Sequence, residues 1–409
     1  MTGIALLAGP APRDGAEPLA DQTARLGPLP PVASDFIAVL ERSDLRGRGG
    51  AGFSAAAKWR AVAGRRAERP VLLVNGAEGE PFSYKDRRLM ETRPHLVLDG
   101  AAVAARTVGA AEIVHYIGAE HVGANQAMRS ALGERSRHEQ GLTRIVNAPV
   151  RYISGEESAA VHFVNEGTAL PTSIPPRPFE RGVAGRPTLV HNVETLAHVA
   201  LLARFGEAWF RSLGCGDSAG TVLVSVSGAV PETRVVEVPQ GVTVTDAVNA
   251  AGGLTVDVGA VLLGGYFGSW AATPDAWSVV LDERALRAQQ RSLGCGVIGL
   301  LPRDRCGVAS TSRVMAYLAH ESARQCGPCT FGLRAIAAAT SRLAGMAAEG
   351  DDLEHVRRWT GLLSGRGACH HPDGAAGFLN SALRVFAEDF HSHQRERRCT
   401  VARAIAVPA

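Results

Sequence analysis

The sequence has no apolar run that reaches the roughly 18 residues a membrane-spanning helix needs, so none is expected. Its opening, MTGIALLAGPAPRDGAEP, holds a short apolar patch with no positive segment before it. That predicts a cytoplasmic start and no signal peptide. An excess of one charge is also missing. Lys and Arg number 43 and Asp and Glu 40, for a net charge of +3, which argues against a nucleic-acid footprint. Cysteine is sparse and odd in number, seven in 409 residues. Cys215, Cys295, Cys306 and Cys399 are scattered, so a secreted disulfide framework is not expected. What remains is an ordinary globular chain, 46% apolar and 20% charged, long enough for about two to four domains.

The densest local signal is RGRGGAGFSAAAK, Arg46 to Lys58. Gly47, Gly49 and Gly52 fit G-x-G-x-x-G, with Gly50 between them. Glycines without a Cβ let backbone N–H groups approach a ligand closely. SAAAKWRAVA reads as a helix, whose N-terminal N–H groups favour an anion. A phosphate cradle is one reading and a flexible glycine turn the other. The dinucleotide fingerprint also requires a strand just before the glycines. Here SDFIAVLERSDL precedes them, with a helical spacing of Phe36, Ile37, Val39 and Leu40. An ordinary Rossmann entry therefore fails its context test.

Residues 1–35 are rich in Pro, Ala and Gly and read as loose. After the glycine loop, VLLVN is a buried strand, followed by GAEGEPFSYKDR. Glu78 and Glu80 thus sit where open α/β sheets place ligands. HLVLDGAAVAARTV reads as helix, EIVHYIG as strand, AEHVGANQAMRSALGER as helix and TRIVNAPVRYI as extended. This alternation predicts a parallel α/β sheet. Glu156 and Glu157 open a further helix, where acidic residues suit the dipole. TLVHN and VETLAHVALLARFG give another strand and helix. From about 219 to 303 alternating strands predict a small β-grasp-like domain. Four helical patterns beyond 307 predict a four-helix bundle.

Together these pieces resemble the NADH- and FMN-binding flavoprotein subunit of bacterial NADH:quinone oxidoreductase (complex I), and the flavoprotein subunits of NAD-linked hydrogenases and formate dehydrogenases. The resemblance rests on LRGRGGAGF…KW, NGAEGEP…KDR, YISGEES, GRPTLVHNVETLA, the β-grasp segment and ES-x4-CGPC with a later cysteine, in family order. It implies an α/β fold: residues 1–40 as an N-terminal extension, 41–218 as an atypical Rossmann-like FMN/NADH domain, 219–303 as a β-grasp (SLBB-like) domain and 304–409 as a helical bundle with an iron–sulfur region. It implies that Gly47, Arg48, Gly49, Gly50, Gly52 and Lys58 hold the FMN phosphate and face the nucleotide. Asn75, Glu78, Tyr152, Gly155, Glu156, Asn192 and Thr195 match positions around the flavin. Phe53, Lys58, Glu80 and Glu157 match positions near NADH. Cys326, Cys329 and Cys369 match cluster ligands. The implied partner is a thioredoxin-fold [2Fe–2S] protein or a ferredoxin, with no membrane insertion.

Three departures stand out. Asn75-Gly76-Ala77-Glu78 replaces Asn-Ala-Asp-Glu, a form similar to a related membrane-bound electron-transport subunit. Pro176-Arg177-Pro178 replaces PPFP, and Arg60-Ala61 replaces a second ring after KW. Arg177 remains as a stacking plane or phosphate ligand. Ala323 occupies the first position of the cluster motif. The remaining thiols suit a [3Fe–4S] cluster, a [4Fe–4S] cluster with a fourth ligand from His320, His370, Cys306 or a small molecule, or no cluster. A degenerate paralogue that binds flavin or acts as a scaffold without nucleotide turnover is the competing reading. A Cys-Gly-Pro-Cys thiol enzyme is a minor third.

Overall fold

The computed structural model describes residues 5–9, 15–65 and 68–401. They form two compact units. One reaches to Val224 and takes in Val235–Val242. The other comprises Ser225–Arg234 and the chain from Thr243.

The first unit runs α1 (Leu19–Leu26), α2 (Phe36–Arg42), α3 (Ala55–Ala63), β1 (Val71–Gly76), α4 (Lys85–Thr92), α5 (Pro94–Val108), β2 (Glu112–Gly118), α6 (Val122–Gly133), α7 (Arg137–Leu142), β3 (Thr143–Ala148), α8 (Glu157–Glu166), β4 (Thr188–Asn192) and α9 (Val193–Ser212). Its sheet has the order β3-β2-β1-β4, and every pairing is parallel. β1 is central and buried on both faces, which is why VLLV is a continuous apolar run. The parallel register sets Asn75 of β1 beside Asn192 of β4, at the C-terminal end of both strands. α5 and α9 cross very closely: a Cβ on Gly100 would lie 1.8 Å from the Leu196 carbonyl oxygen.

The loose N-terminal stretch of the sequence reading is in part an ordered helix. Gln22 of α1 is buried and donates to Asp99 Oδ2 at 2.8 Å. Asp99 also receives Arg135 at 2.6 Å and Arg204 at 2.7 Å, so α1 is tied to α5 and α9 through one buried carboxylate. Composition alone hid this, because the anchor is a polar contact 77 residues away in sequence. TRIVNAPVRYI is also less extended than expected. β3 ends at Ala148, and Tyr152–Gly155 forms a short 3-10 turn.

The chain continues through β5 (Thr221–Gly228), β6 (Arg234–Pro239), α10 (Val244–Ala250), β7 (Val258–Leu263), β8 (Ser269–Ala272), α11 (Glu283–Ala288) and β9 (Val297–Pro302). The second sheet has the order β6-β5-β9-β7-β8. β5 and β9 pair in parallel, while β7 pairs antiparallel with both β8 and β9. The helices that follow are α12 (Gly307–His320), α13 (Arg334–Ala344), α14 (Asp352–Leu363), α15 (His371–Val385) and α16 (Ala387–His391). Two π-helical turns accompany them: Pro328–Leu333 leads into α13, and Ser392–Glu396 follows α16.

Candidate flavin and cluster sites

The glycine loop is a closed loop, not a tail leading into a helix. Arg46 and Ser54 form an isolated bridge, and the Gly47 N–H donates to the Phe53 carbonyl at 2.8 Å. Gly50 and Gly52 have φ of +111° and +58°, values L-residues with a Cβ rarely adopt. A Cβ on Gly49 would sit 3.2 Å from Asn192 Cβ, so glycine there keeps open the space between the loop and the end of β4. The N-terminus of α3 is already capped. The Ser54 side chain accepts from the Ala57 N–H at 3.3 Å, and the Ala55 N–H donates to the Leu45 carbonyl at 3.0 Å. Any phosphate held here meets the amides of the loop before those of the helix.

Arg48 is the clamp of this loop. Its backbone N–H donates to Thr195 Oγ1 at 2.9 Å, and its guanidinium donates to the Thr221 carbonyl at 3.0 Å. It is buried and lies 3.9 Å from Glu194. Beneath the loop, Trp59 is fully buried and donates from Nε1 to His191 Nε2 at 2.8 Å. Burial, and then Lys58, push His191 down to about 3. It is therefore a neutral imidazole that accepts at Nε2 and carries its proton on Nδ1.

Lys58 projects from α3 and donates to Glu157 Oε2 at 2.7 Å and to the Val190 carbonyl at 2.9 Å. It joins the start of α8 to the end of β4. Asn75 Nδ2 donates to the Gly155 carbonyl at 2.9 Å, and Asn75 Oδ1 accepts from the Ala77 N–H at 3.1 Å. Tyr152 donates to Glu80 Oε2 at 3.3 Å, and Glu80 is buried. A Cβ on Gly79 would lie 3.0 Å from Tyr152 Cα, so the GAEGE loop and the 152–155 turn touch backbone to backbone. The predicted residues from four separated motifs thus converge at the C-terminal ends of β1 and β4. Phe53 stays 59% exposed on the loop.

Two predicted carboxylates have structural work. Glu78 caps α4: it accepts from the Asp86 N–H at 3.0 Å, the Arg87 N–H at 3.1 Å and Ser83 Oγ at 2.5 Å. Burial, and then Asp86, push it up to about 7. Glu156 caps α8 through the Ser158 and Ala159 N–H groups, each at 2.9 Å.

Sequence reasoning missed the charged core behind these residues. Lys85, only 2% exposed, lies 2.7 Å from Asp86 and 2.8 Å from Glu194. Burial pulls its pKa down, but Asp86, then Glu194 and Glu78, raise it above the ordinary lysine value. Asp86 accepts from Asn192 Nδ2 at 2.6 Å, and Asn192 Oδ1 caps α9. A usable signal existed: Lys58 and Lys85 are the two lysines in the chain, and both lie here.

In the second unit none of the described cysteines is in a disulfide. Cys329 is buried at the π-helical turn after Gly327. Burial, then Cys326 and Cys369, push its thiol up to about 12, so the three predicted thiols share one neighbourhood. That donor set fits three thiolate ligands of an iron–sulfur cluster. The proposed substitutes are less well placed. The side chains of His320 and His370 are 76% and 96% exposed, paired with Glu321 and Asp373. Cys306 lies in a different group, with His393.

Known proteins align with both regions. The Nuo51 FMN-binding domain family matches residues 40–201. The SLBB domain family matches 223–265, and the NADH-ubiquinone oxidoreductase-F iron-sulfur binding region matches 309–393. An F-type component of the NADH-quinone oxidoreductase of Rhizobium meliloti is 33% identical over 382 residues, covering 89% of this chain and 90% of that protein. The HndC component of the NADP-reducing hydrogenase of Solidesulfovibrio fructosivorans is 26% identical over 382 residues, covering 90% and 77%. A chain of the NAD+-reducing [NiFe]-hydrogenase in its H2-reduced state superposes with a TM-score of 0.82 at 29% identity, covering 97% of this chain and 68% of the other.

Proposed function

We infer the function from one premise: the chain belongs to the family of F-type components of NADH-quinone oxidoreductase. It is an FMN-binding, NADH-oxidising electron-transfer protein with an iron–sulfur region. FMN supplies the chemistry, accepting a hydride and releasing electrons one at a time. The chain's residues supply position and field.

The observation that carries the assignment is the convergence of the glycine loop, Asn75, Asn192 and the 152–155 turn on the ends of β1 and β4. The first unit is then an atypical Rossmann-like domain, with its ligand at the carboxyl ends of the strands. The loop amides of Gly47, Gly49, Gly50 and Gly52 receive the FMN phosphate. Asn75, Tyr152, Gly155, Asn192 and Thr195 shape the flavin pocket, with Glu78 and Glu156 holding the helix starts that line it. Phe53 offers its exposed ring to the adenine, and Lys58, Glu80 and Glu157 frame the nucleotide. Lys58 must exchange part of its Glu157 pairing for an anionic group of NADH, so the pair tunes affinity. Arg48 holds the loop from behind.

The residues between 219 and 303 form a β-grasp (SLBB-like) domain, and those beyond 304 a four-helix bundle. Its Cys326, Cys329 and Cys369 hold an iron–sulfur cluster. The acceptor is a thioredoxin-fold [2Fe–2S] protein or a ferredoxin. Reduced thiols of this kind fit the cytoplasm.

Equilibrium dialysis of the full chain against FMN tests the site. One FMN per chain is expected, with Gly49→Val abolishing retention while the circular dichroism stays that of the parent. A wild-type chain that retains no flavin contradicts the reading.

A further inference from the structure

Apart from Cys295, the thiols of the second unit fall into two groups. Among the described residues, one set of three or more His, Cys, Asp or Glu side chains brings its ligand atoms within 4.8 Å of one another. It is Cys306, His393 and Cys399. The set is distinct from Cys326, Cys329 and Cys369, and of its members His393 alone falls within the matched iron-sulfur region, at its last residue.

Local structure explains how residues so distant in sequence meet. Cys306 is the N-cap of α12, and its sulfur accepts from the Ala309 N–H at 3.4 Å. His393 lies in the π-helical turn Ser392–Glu396. Arg397 then takes a left-handed φ of 49° and reverses the chain, and Ser392 Oγ donates to the Arg398 carbonyl at 3.0 Å. The reversal returns Cys399 to the other two. His393 is 1% exposed and Cys306 8%.

The imidazole is already oriented. His393 Nδ1 lies 2.9 Å from the Leu343 carbonyl. A carbonyl only accepts, so Nδ1 carries the proton and Nε2 carries the lone pair. Nε2 faces Cys306 Sγ at 3.6 Å. Metal-bound histidines are commonly oriented through the other ring nitrogen in this way. The spacing also fits. A tetrahedral zinc ion, with Zn–S about 2.3 Å and Zn–N about 2.05 Å, sets sulfur and nitrogen about 3.6 Å apart.

We propose that Cys306, His393 and Cys399 form a mononuclear binding site for a thiophilic divalent cation of the zinc type. The ion takes two thiolates and one neutral imidazole, with solvent in the fourth position. Binding releases the two thiol protons. The ion clips the start of α12 to the segment after α16, a structural role without electron transfer. The compactness of the set argues for one ion, since a cluster of several irons spreads its thiolates wider.

The test uses the full chain, purified under reducing conditions and stripped by chelator. It is then titrated with Co²⁺ and, separately, with Zn²⁺. Cys306→Ser is an informative variant because serine is itself a good N-cap, so α12 keeps its start. His393→Gln and Cys399→Ser complete the set. The expected result is one tightly held Zn²⁺ per chain. Co²⁺ should give the sulfur-to-metal charge-transfer band and intense visible bands of tetrahedral thiolate coordination. Both should weaken at least tenfold in each variant and persist in a Cys326→Ser/Cys329→Ser chain. Three results overturn the proposal: no thiolate–cobalt band in the wild type; a band that survives Cys306→Ser and Cys399→Ser; or a band lost only with Cys326 and Cys329.

Discussion

Around the glycine loop the charged side chains are already paired with one another. Lys58 holds Glu157, Lys85 holds Asp86 and Glu194, and Glu78 holds the first amides of α4. Around the cysteines the donors are sulfur and imidazole: burial, and then Cys326 and Cys369, push the Cys329 thiol up, and Cys306 Sγ lies 3.6 Å from His393 Nε2. The first region is organised by ion pairs and hydrogen bonds that the protein itself supplies. The second gathers thiols and an imidazole, donors that suit a cation. A lost charge in the first region should therefore cost stability. A lost thiol in the second should cost metal and leave the fold largely in place.

The largest effect on that contrast is expected from Glu194→Ala. It removes the fully buried partner of Lys85 and the acceptor of the Leu223 N–H. Breaking a buried ion pair costs about 3–5 kcal/mol, to be read from urea unfolding. A loss under about 1 kcal/mol would show that the network behaves like a surface pair. Gly100→Ala comes next, because its methyl must enter the Leu196 backbone. Overpacking of this kind costs about 1–3 kcal/mol or more, and an unchanged melting temperature would contradict the α5–α9 geometry.

Cys329→Ser should remove most of the iron from anaerobically reconstituted protein while leaving flavin content and unfolding midpoint nearly unchanged. A large loss of stability with iron retained would reverse the contrast between the regions. Lys58→Ala should raise the KM for NADH by roughly tenfold, about 1.4 kcal/mol, with flavin content retained. Parallel loss of FMN would assign the lysine to the flavin phosphate instead.

A further effect is a pH slope. Glu78 rises from 4.5 to about 7 in the folded state. The native protein therefore binds that proton more tightly than the unfolded chain. The stability this contributes is complete below about 4.5 and is lost as pH rises through about 7. Glu78→Gln should flatten the stability profile within that window. An unchanged slope would mean the three hydrogen bonds to Glu78 keep it ionised throughout.

Most elements were legible because their signals are local. EIVHYIG and TLVHN became β2 and β4 with their bounds as read, and SAAAKWRAVA became α3 behind its Ser54 cap. The convergence of the four motifs followed from the resemblance, since strand ends 117 residues apart meet only through sheet order. Three features stayed hidden for one physical reason. α1, the Lys85 network and the Cys306–His393–Cys399 group are each fixed by contacts between residues far apart in sequence. Periodicity does not register such contacts. The helix-dipole reading of Glu156 and Glu157 shows the limit from the other side. Glu156 caps its helix as local chemistry suggests, while its neighbour reaches back to Lys58, 99 residues earlier.

The central claim is that one site on the first unit carries flavin and receives reducing equivalents from NADH. An anaerobic titration of the FMN-loaded full chain with NADH, followed at the flavin absorption bands, tests it most directly. The account expects the flavin colour to bleach in proportion to added NADH, with an endpoint at one NADH per FMN. A chain that keeps its FMN, stays yellow with excess NADH, yet bleaches with dithionite would contradict it.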